Sequence, residues 1–521
     1  MNGAECVFAT LVRNGVDLCL MNPGTSELEF VSALDRVQGM RGVLCLFEGV
    51  CAAAADGYSR MTGRPAATLF HTGPGLGNAL AYLHNARKAR SPIVAIVGQH
   101  TAQHLLYESP LKSDIAGIAR PVSGWVREIE STAAIAEAAS EAVSAAIGPP
   151  GQIATLIVPA DCSWSEAGDP GPLVPRPFRH APRSQCVREA ASILRGGEAA
   201  GLFLSGTALV RRGLEAASRL AASCGVRVFT SRFFNRMERG RNRFAPERIP
   251  YFPEAAQPML AGLKHLVLVE AEPPVSFFGY RGLRSLVAPE DCQYHELASA
   301  EEDGQAALEA LAEECGAVRP AFVERERPSV PSGSELTPAL VGQTVAALLP
   351  EGAIISDEAV SSGEAISACL DAAAPHDYLA VTGGAIGQGL PLAVGAALAC
   401  PDRKVVALEG DGSGMYTLQS LWTMARERLD VVSVILANRR YRVLGIEMER
   451  SGAAGEFAGE MIDIGRPELD WVKLAEGMGV AATRATTASE FAAQFDAAMR
   501  ERGPRLIEAV ITGPAAPSNS R

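Results

Sequence analysis

The sequence predicts an α/β protein of three successive units, each a parallel sheet with helices on both faces. Three observations predict it. Short apolar runs alternate with Ala-rich helical stretches, the pattern of strand–helix–strand crossovers. Two Pro-rich segments cut the chain into parts of similar size. A length of 521 residues allows about three domains at roughly 100–200 residues each.

In the first unit, 1–167, Val43–Phe47 is an apolar run and Gly49–Arg60 is helical. Ala67–Phe70 is a strand, Gly73–Gly77 a glycine loop, Asn78–Arg90 a helix and Pro92–Val97 another strand. The alternation continues to about Cys162. Residues 168–183 carry five prolines and read as a linker. The second unit, 184–320, has strands at Gly201–Leu204, Val226–Phe229 and Leu266–Val269. It ends in the Pro- and charge-rich segment Arg319–Ser334. The third, 335–515, has strands at Ala353–Ser356, Val405–Leu408, Val431–Leu436 and Leu506–Val510, and the tail Pro514–Arg521 is expected to fray.

Composition excludes several classes. Hydrophobic residues make up 48% and charged residues 20%, which is globular rather than disordered. The net charge of −12, without a Lys/Arg block, argues against nucleic acid and anionic membrane as partners. No apolar run is long enough for a transmembrane helix. The opening MNGAECVFATLVRNG has Glu5 and no basic start, so a signal peptide is not expected. Eleven cysteines without a CxxC pair read as thiols in a reducing cytoplasm.

The chemistry concentrates in VVALEGDGSGM, residues 405–415, where an apolar strand ends in Gly410-Asp411-Gly412-Ser413. A second strand, VVSVILAN, ends at Asn438. Two such strand ends present a carboxylate and an amide oxygen together. With a backbone carbonyl near Arg440 they supply three hard oxygens, and two diphosphate oxygens and a water complete the octahedron that Mg²⁺ requires. The glycines let a diphosphate approach the backbone, and the next helix start offers free N–H groups.

This GDGS-to-Asn motif resembles that of the thiamine diphosphate (ThDP) enzymes of the acetolactate synthase, pyruvate oxidase and benzoylformate decarboxylase superfamily, and the resemblance runs over nearly the whole chain. It implies that the first unit binds the aminopyrimidine, the third the diphosphate, and the middle one is a scaffold. It also requires a glutamate on the pyrimidine. Glu48, in LFEGVCAAAADGYSR after an apolar strand, fills that role. Gly73-Pro74-Gly75 is similar to the family's cofactor-approaching segment. His71 stands where benzoylformate decarboxylase has a catalytic histidine and acetolactate synthases a small polar residue, so it is expected to act as acid–base. In Asn22-Pro23-Gly24-Thr25-Ser26-Glu27, Thr25 takes the place of an active-site serine that meets the substrate carboxylate. His100 and His104 are candidates for a second acid–base or for the pocket rim. Gly384 and Ile386, in GGAIGQGLP, match the segment that bends the cofactor, and Ser361 and Ser362 match a diphosphate-binding loop.

Two departures stand out. Phe278 replaces a middle-domain histidine of the decarboxylase, and the middle region is shorter than in flavin-binding synthases, so FAD is not expected. The resemblance implies a ThDP- and Mg²⁺-dependent 2-oxo acid decarboxylase or carboligase (a lyase or transferase) acting through a ThDP ylid and an enamine. The alternative is acetolactate synthase, which joins two 2-oxo acids. It also implies a homodimer or homotetramer with sites at the subunit interface.

Overall fold

A computed structural model of the chain describes residues 1–320, 323–453 and 455–512, so the tail expected to fray, 514–521, lies outside the described residues. Three sheets dominated by parallel strands are present, as the sequence predicts. They fall into two compact units. One comprises Met1–Arg176, Pro328–Leu370 and Val381–Arg521; the other is Pro177–Arg327 with Asp371–Ala380.

The first sheet contains β1 (Leu18–Asn22), β2 (Arg41–Leu44), β3 (Ala66–Phe70), β4 (Ile93–Gln99), β5 (Trp125–Glu128) and β6 (Ile153–Pro159) in the order β2-β1-β3-β4-β6-β5. Strands β3, β4 and β6 are buried along their whole length. That is why they read as unbroken apolar runs and not as alternating ones. In the second unit, β7 (Ala200–Leu204), β8 (Arg227–Thr230), β10 (Glu247–Arg248), β11 (His265–Val269) and β12 (Gln293–Ala298) form a parallel sheet, order β10-β8-β7-β11-β12. There too β9 (Met237–Arg239) pairs antiparallel with β14 (His376–Ala380). The third sheet continues the first unit with β13 (Ile354–Glu358), β15 (Val405–Gly410), β16 (Val431–Ala437), β17 (Ala481–Ala485) and β18 (Arg505–Val510), order β17-β18-β16-β15-β13.

Two local expectations are corrected. Gly73–Gly77 is not a loop: it forms the first turns of a helix running Thr72–Ala89, with His71 as N-cap. Proline is tolerated there because Pro74 lies in the first turn, where a missing N–H costs no intrahelical bond. The run Val43–Phe47 also turns early, since β2 ends at Leu44 and the next helix, Glu48–Thr62, starts after Phe47. That helix packs against Gly389–Ala399 at backbone distance: a Cβ on Gly57 would lie 2.2 Å from the Leu392 carbonyl oxygen, and one on Gly395 would lie 1.9 Å from that of Ala54. Glycine at the crossing lets the helices from the first and third sheets meet.

Candidate active site

The site residues gather at the carboxyl ends of the first and third sheets, where open α/β sheets present ligand crevices. In the first sheet, Glu48 opens its helix, a position where the helix dipole favours an acid. It is 5% exposed, and its Oε2 accepts a hydrogen bond from Asn78 Nδ2 at 3.1 Å. The turn after His71 closes over it, and a Cβ on Gly75 would stand 3.0 Å from Glu48 Oε1.

His71 follows the end of β3. Its Nδ1 lies 2.8 Å from Glu27 Oε2 and 3.2 Å from Ser26 Oγ. A carboxylate acceptor places the ring proton on Nδ1 and leaves Nε2 free. Glu27 is fully buried and also accepts the Gly24 N–H at 2.9 Å. Its other oxygen, Oε1, finds no partner among the described residues and lies over Gly98, where a Cβ would stand 1.7 Å away. Thr25 is exposed, and it is its neighbours Ser26 and Glu27 that reach the imidazole. Sequence reading stopped at Thr25. The available signal was an acid two residues further on, facing a bare glycine on a neighbouring strand. His100 follows β4, with Nε2 3.2 Å from Ser109 Oγ and its ring 5.1 Å from that of His104. Burial, then the charges of His104 and His71, lower its basicity.

In the third sheet, β15 and β16 are parallel neighbours with Gly410 opposite Leu436, so Asp411 and Asn438 emerge side by side as their spacing predicts. Asp411 is 4% exposed. Its Oδ1 accepts the Gly412 N–H at 2.9 Å and Oδ2 the Arg439 N–H at 2.6 Å. Burial pushes its pKa up to about 6, against the pull of these N–H donors. Asn438 Oδ1 accepts the Arg440 N–H at 3.0 Å, and the Arg440 carbonyl accepts from Arg442 N at 2.8 Å. A buried carboxylate beside two neutral oxygens is a hard donor set that a divalent cation satisfies, so the residues fit Mg²⁺. Arg439 pairs with Glu468.

The bending segment is held by the helix Thr72–Ala89. Tyr82 Oη donates to the Ile386 carbonyl at 3.4 Å. Asn85 brackets Ala385, donating to its carbonyl at 2.8 Å and accepting its N–H at 3.1 Å. Gly384 and Gly387 have φ of 79° and 89°, which glycine adopts without strain. Ser361 and Ser362 lie in a single turn after β13. Beneath these loops are Glu358 and Glu409, to which the sequence reading gave no role. Burial raises both carboxyls, Glu358 to about 7.

Comparison with known proteins agrees with this layout. Residues 1–117 match the family model of the thiamine pyrophosphate enzyme N-terminal TPP binding domain, and 361–509 match the C-terminal TPP binding domain. A Mycobacterium tuberculosis protein provisionally named acetolactate synthase large subunit IlvX is 50% identical over 98% of this chain and 99% of its own. Benzoylformate decarboxylase of Pseudomonas aeruginosa is 28% identical over 96% of this chain and 97% of its own. The solved structure of the ThDP-dependent 4-hydroxybenzoylformate decarboxylase of Rhodococcus jostii RHA1 superposes with a TM-score of 0.87 at 26% identity, covering 99% of this chain and all of that one. No helix among the described residues is long and apolar enough to cross a membrane. The chain belongs to the thiamine pyrophosphate enzymes, among the acetolactate synthase- and decarboxylase-like members.

Proposed function

We propose that the protein is a ThDP- and Mg²⁺-dependent enzyme that decarboxylates a 2-oxo acid and releases an aldehyde or joins the fragment to a second carbonyl. The observation that carries this reading is His71 seated on buried Glu27, an oriented proton-transfer group at the sheet's carboxyl edge. When bound, ThDP supplies the carbanion chemistry. Glu48 hydrogen-bonds the aminopyrimidine ring. Gly73, Pro74 and Gly75 line its approach, and Gly384 and Ile386 support the bend. Gly410, Gly412, Ser413 and Ser361 face the diphosphate. Asp411, the Asn438 amide oxygen and the Arg440 carbonyl hold Mg²⁺. Thr25 receives the substrate carboxylate and His71 moves protons on the bound substrate through Nε2.

Glu48 and Asp411 lie in separate clusters, at the ends of different sheets. We therefore assign the complete site to a homodimer or a homotetramer with two-fold axes. A reducing compartment such as the cytoplasm suits eleven unpaired thiols. The second reading, acetolactate synthase, is favoured by the 50% identical relative.

A panel of 2-oxo acids, incubated with protein, ThDP and Mg²⁺, tests both readings. CO₂ with aldehyde or a mixed acyloin supports the first. Acetolactate from pyruvate alone supports the second. Absence of CO₂ from every acid overturns both.

A further inference from the structure

The second unit has the topology of a ligand-binding sheet. Its chain runs from β7 outward to β8 and β10, then returns to β11 and β12 on the other side, so the strand order reverses between β7 and β11. In open α/β sheets the carboxyl ends at such a reversal frame the crevice where ligands bind. Here the chain fills that place itself. Glu270 directly follows Val269, the last residue of β11, and is 2% exposed. Its φ of 51° lies in the left-handed region, which a residue with a side chain enters only at a cost.

Donors converge on its carboxylate from three segments. Oε2 accepts the Thr207 N–H at 3.1 Å, from the turn after β7, and a hydrogen bond from Arg179 Nη1 at 3.2 Å. Oε1 accepts the Thr207 hydroxyl and, at 3.1 Å, the N–H of Gly304, the first residue of the helix Gly304–Glu314. Glycine makes room at both turns: a Cβ on Gly206 would lie 2.1 Å from Glu270 Oε2, and one on Gly304 2.5 Å from Oε1. A helix start, a turn N–H after a strand, a hydroxyl and a guanidinium are the donors that hold a phosphate group.

We propose that Glu270 is a built-in anion: its carboxylate occupies the phosphate position of the second unit's crevice and closes it to nucleotides and other phosphorylated ligands. The donors of Thr207, Gly304 and Arg179 meet at one buried point, and buried donors without an acceptor are costly. A ligand phosphate would match them only in proportion to its occupancy. A covalently attached carboxylate matches them at any ligand concentration. Every residue involved belongs to the second unit, so a failure of the ThDP reading would leave this assignment untouched.

The test compares full-length wild type, Glu270→Ala and Glu270→Gln in inorganic phosphate and in sodium chloride of equal ionic strength. Thermal melts are recorded, with amide hydrogen exchange of peptides spanning 205–209 and 302–306. Glu270→Ala empties the cradle. It is expected to melt below wild type and to regain about 3 °C or more in phosphate, beyond any shift that phosphate causes in wild type. Phosphate should also slow exchange in both of its peptides. Glu270→Gln keeps the place filled without the charge, so it should melt lower and regain nothing beyond the wild-type shift. In wild type both peptides should exchange slowly and be unchanged by phosphate or by ADP. A folded Glu270→Ala that phosphate neither stabilises nor protects overturns the proposal, and so does equal rescue of Glu270→Gln. Protection of these peptides by ADP or phosphate in wild type overturns it too, a result that needs no variant to fold.

Discussion

Gln388 donates its side-chain amide to Asp56 at 2.5 Å, and this bond joins the helix after β2 to the turn that carries Ile386. Asp56 also accepts from Arg60 Nε at 2.8 Å and Nη2 at 2.5 Å, and from Ser91 Oγ. Arg60 continues to Thr382 Oγ1 at 3.1 Å. The Arg60 and Asp56 side chains are 1% and 0% exposed, so the ion pair is buried and satisfied on every side.

Removing one partner of such a pair strands the other. Asp56→Ala is expected to destabilise the fold by about 3–5 kcal/mol. Pairing it with Arg60→Met should recover part of the loss, because no bare charge remains. Urea denaturation of the single and double variants measures this, and equal loss in both would show that the ion pair is not the cause.

Glu48 and His71 should separate kinetically. Glu48→Gln keeps the size and loses the acid, so proton exchange at the thiazolium carbon of bound ThDP should fall by orders of magnitude with or without substrate. His71→Ala should leave that exchange near wild type and slow turnover by about 10²–10⁴-fold. NMR of the C2 proton, run beside steady-state assays, reads both. Loss of exchange in His71→Ala would contradict this division.

Glu27 is hydrogen-bonded to His71, and its other oxygen packs over Gly98. Glu27→Gln should lower kcat and leave KM close to wild type, because the ring is misoriented while the pocket is kept. Gly98→Ala would drive a methyl into the Glu27 carboxylate and should reproduce that loss. The double variant should cost little more than either single one; full additivity would mean that the two residues act independently.

In the second unit, His376 offers a pH test. Burial lowers its pKa from 6.5 to about 4. Its Nδ1–H donates to the Ala374 carbonyl at 2.8 Å, and Nε2 is buried without a partner among the described residues. Between those pH values the unfolded chain binds a proton that the folded one does not. Stability is therefore complete above about pH 6.5 and falls as pH drops toward 4, by roughly 3 kcal/mol at the end of the window. His376→Asn should flatten that part of a plot of urea midpoint against pH; an unchanged slope would assign the acid sensitivity elsewhere.

Much of this protein was legible in one dimension. The three parallel-dominated α/β sheets follow from apolar runs alternating with helical stretches, a pattern that depends on neighbours in the chain. The Asp411–Asn438 pair was readable because both residues close apolar strands, and parallel strands that end together present their terminal residues together. Gly73–Gly77 was misread because a glycine-rich run has no local helix signal; His71 as cap and packing over Glu48 make it a helix start.

What only the tertiary structure decided is which acids meet. Glu27 reaches His71 across 44 residues, Glu358 faces Glu409 in strand register, and Asp56 meets Gln388 across 332 residues. No periodicity announces these meetings, since each depends on strand order and register set by the whole core. A buried carboxylate shows its role only when its donors come from distant parts of the chain, and in the sequence those donors are ordinary glycines, a glutamine and a histidine.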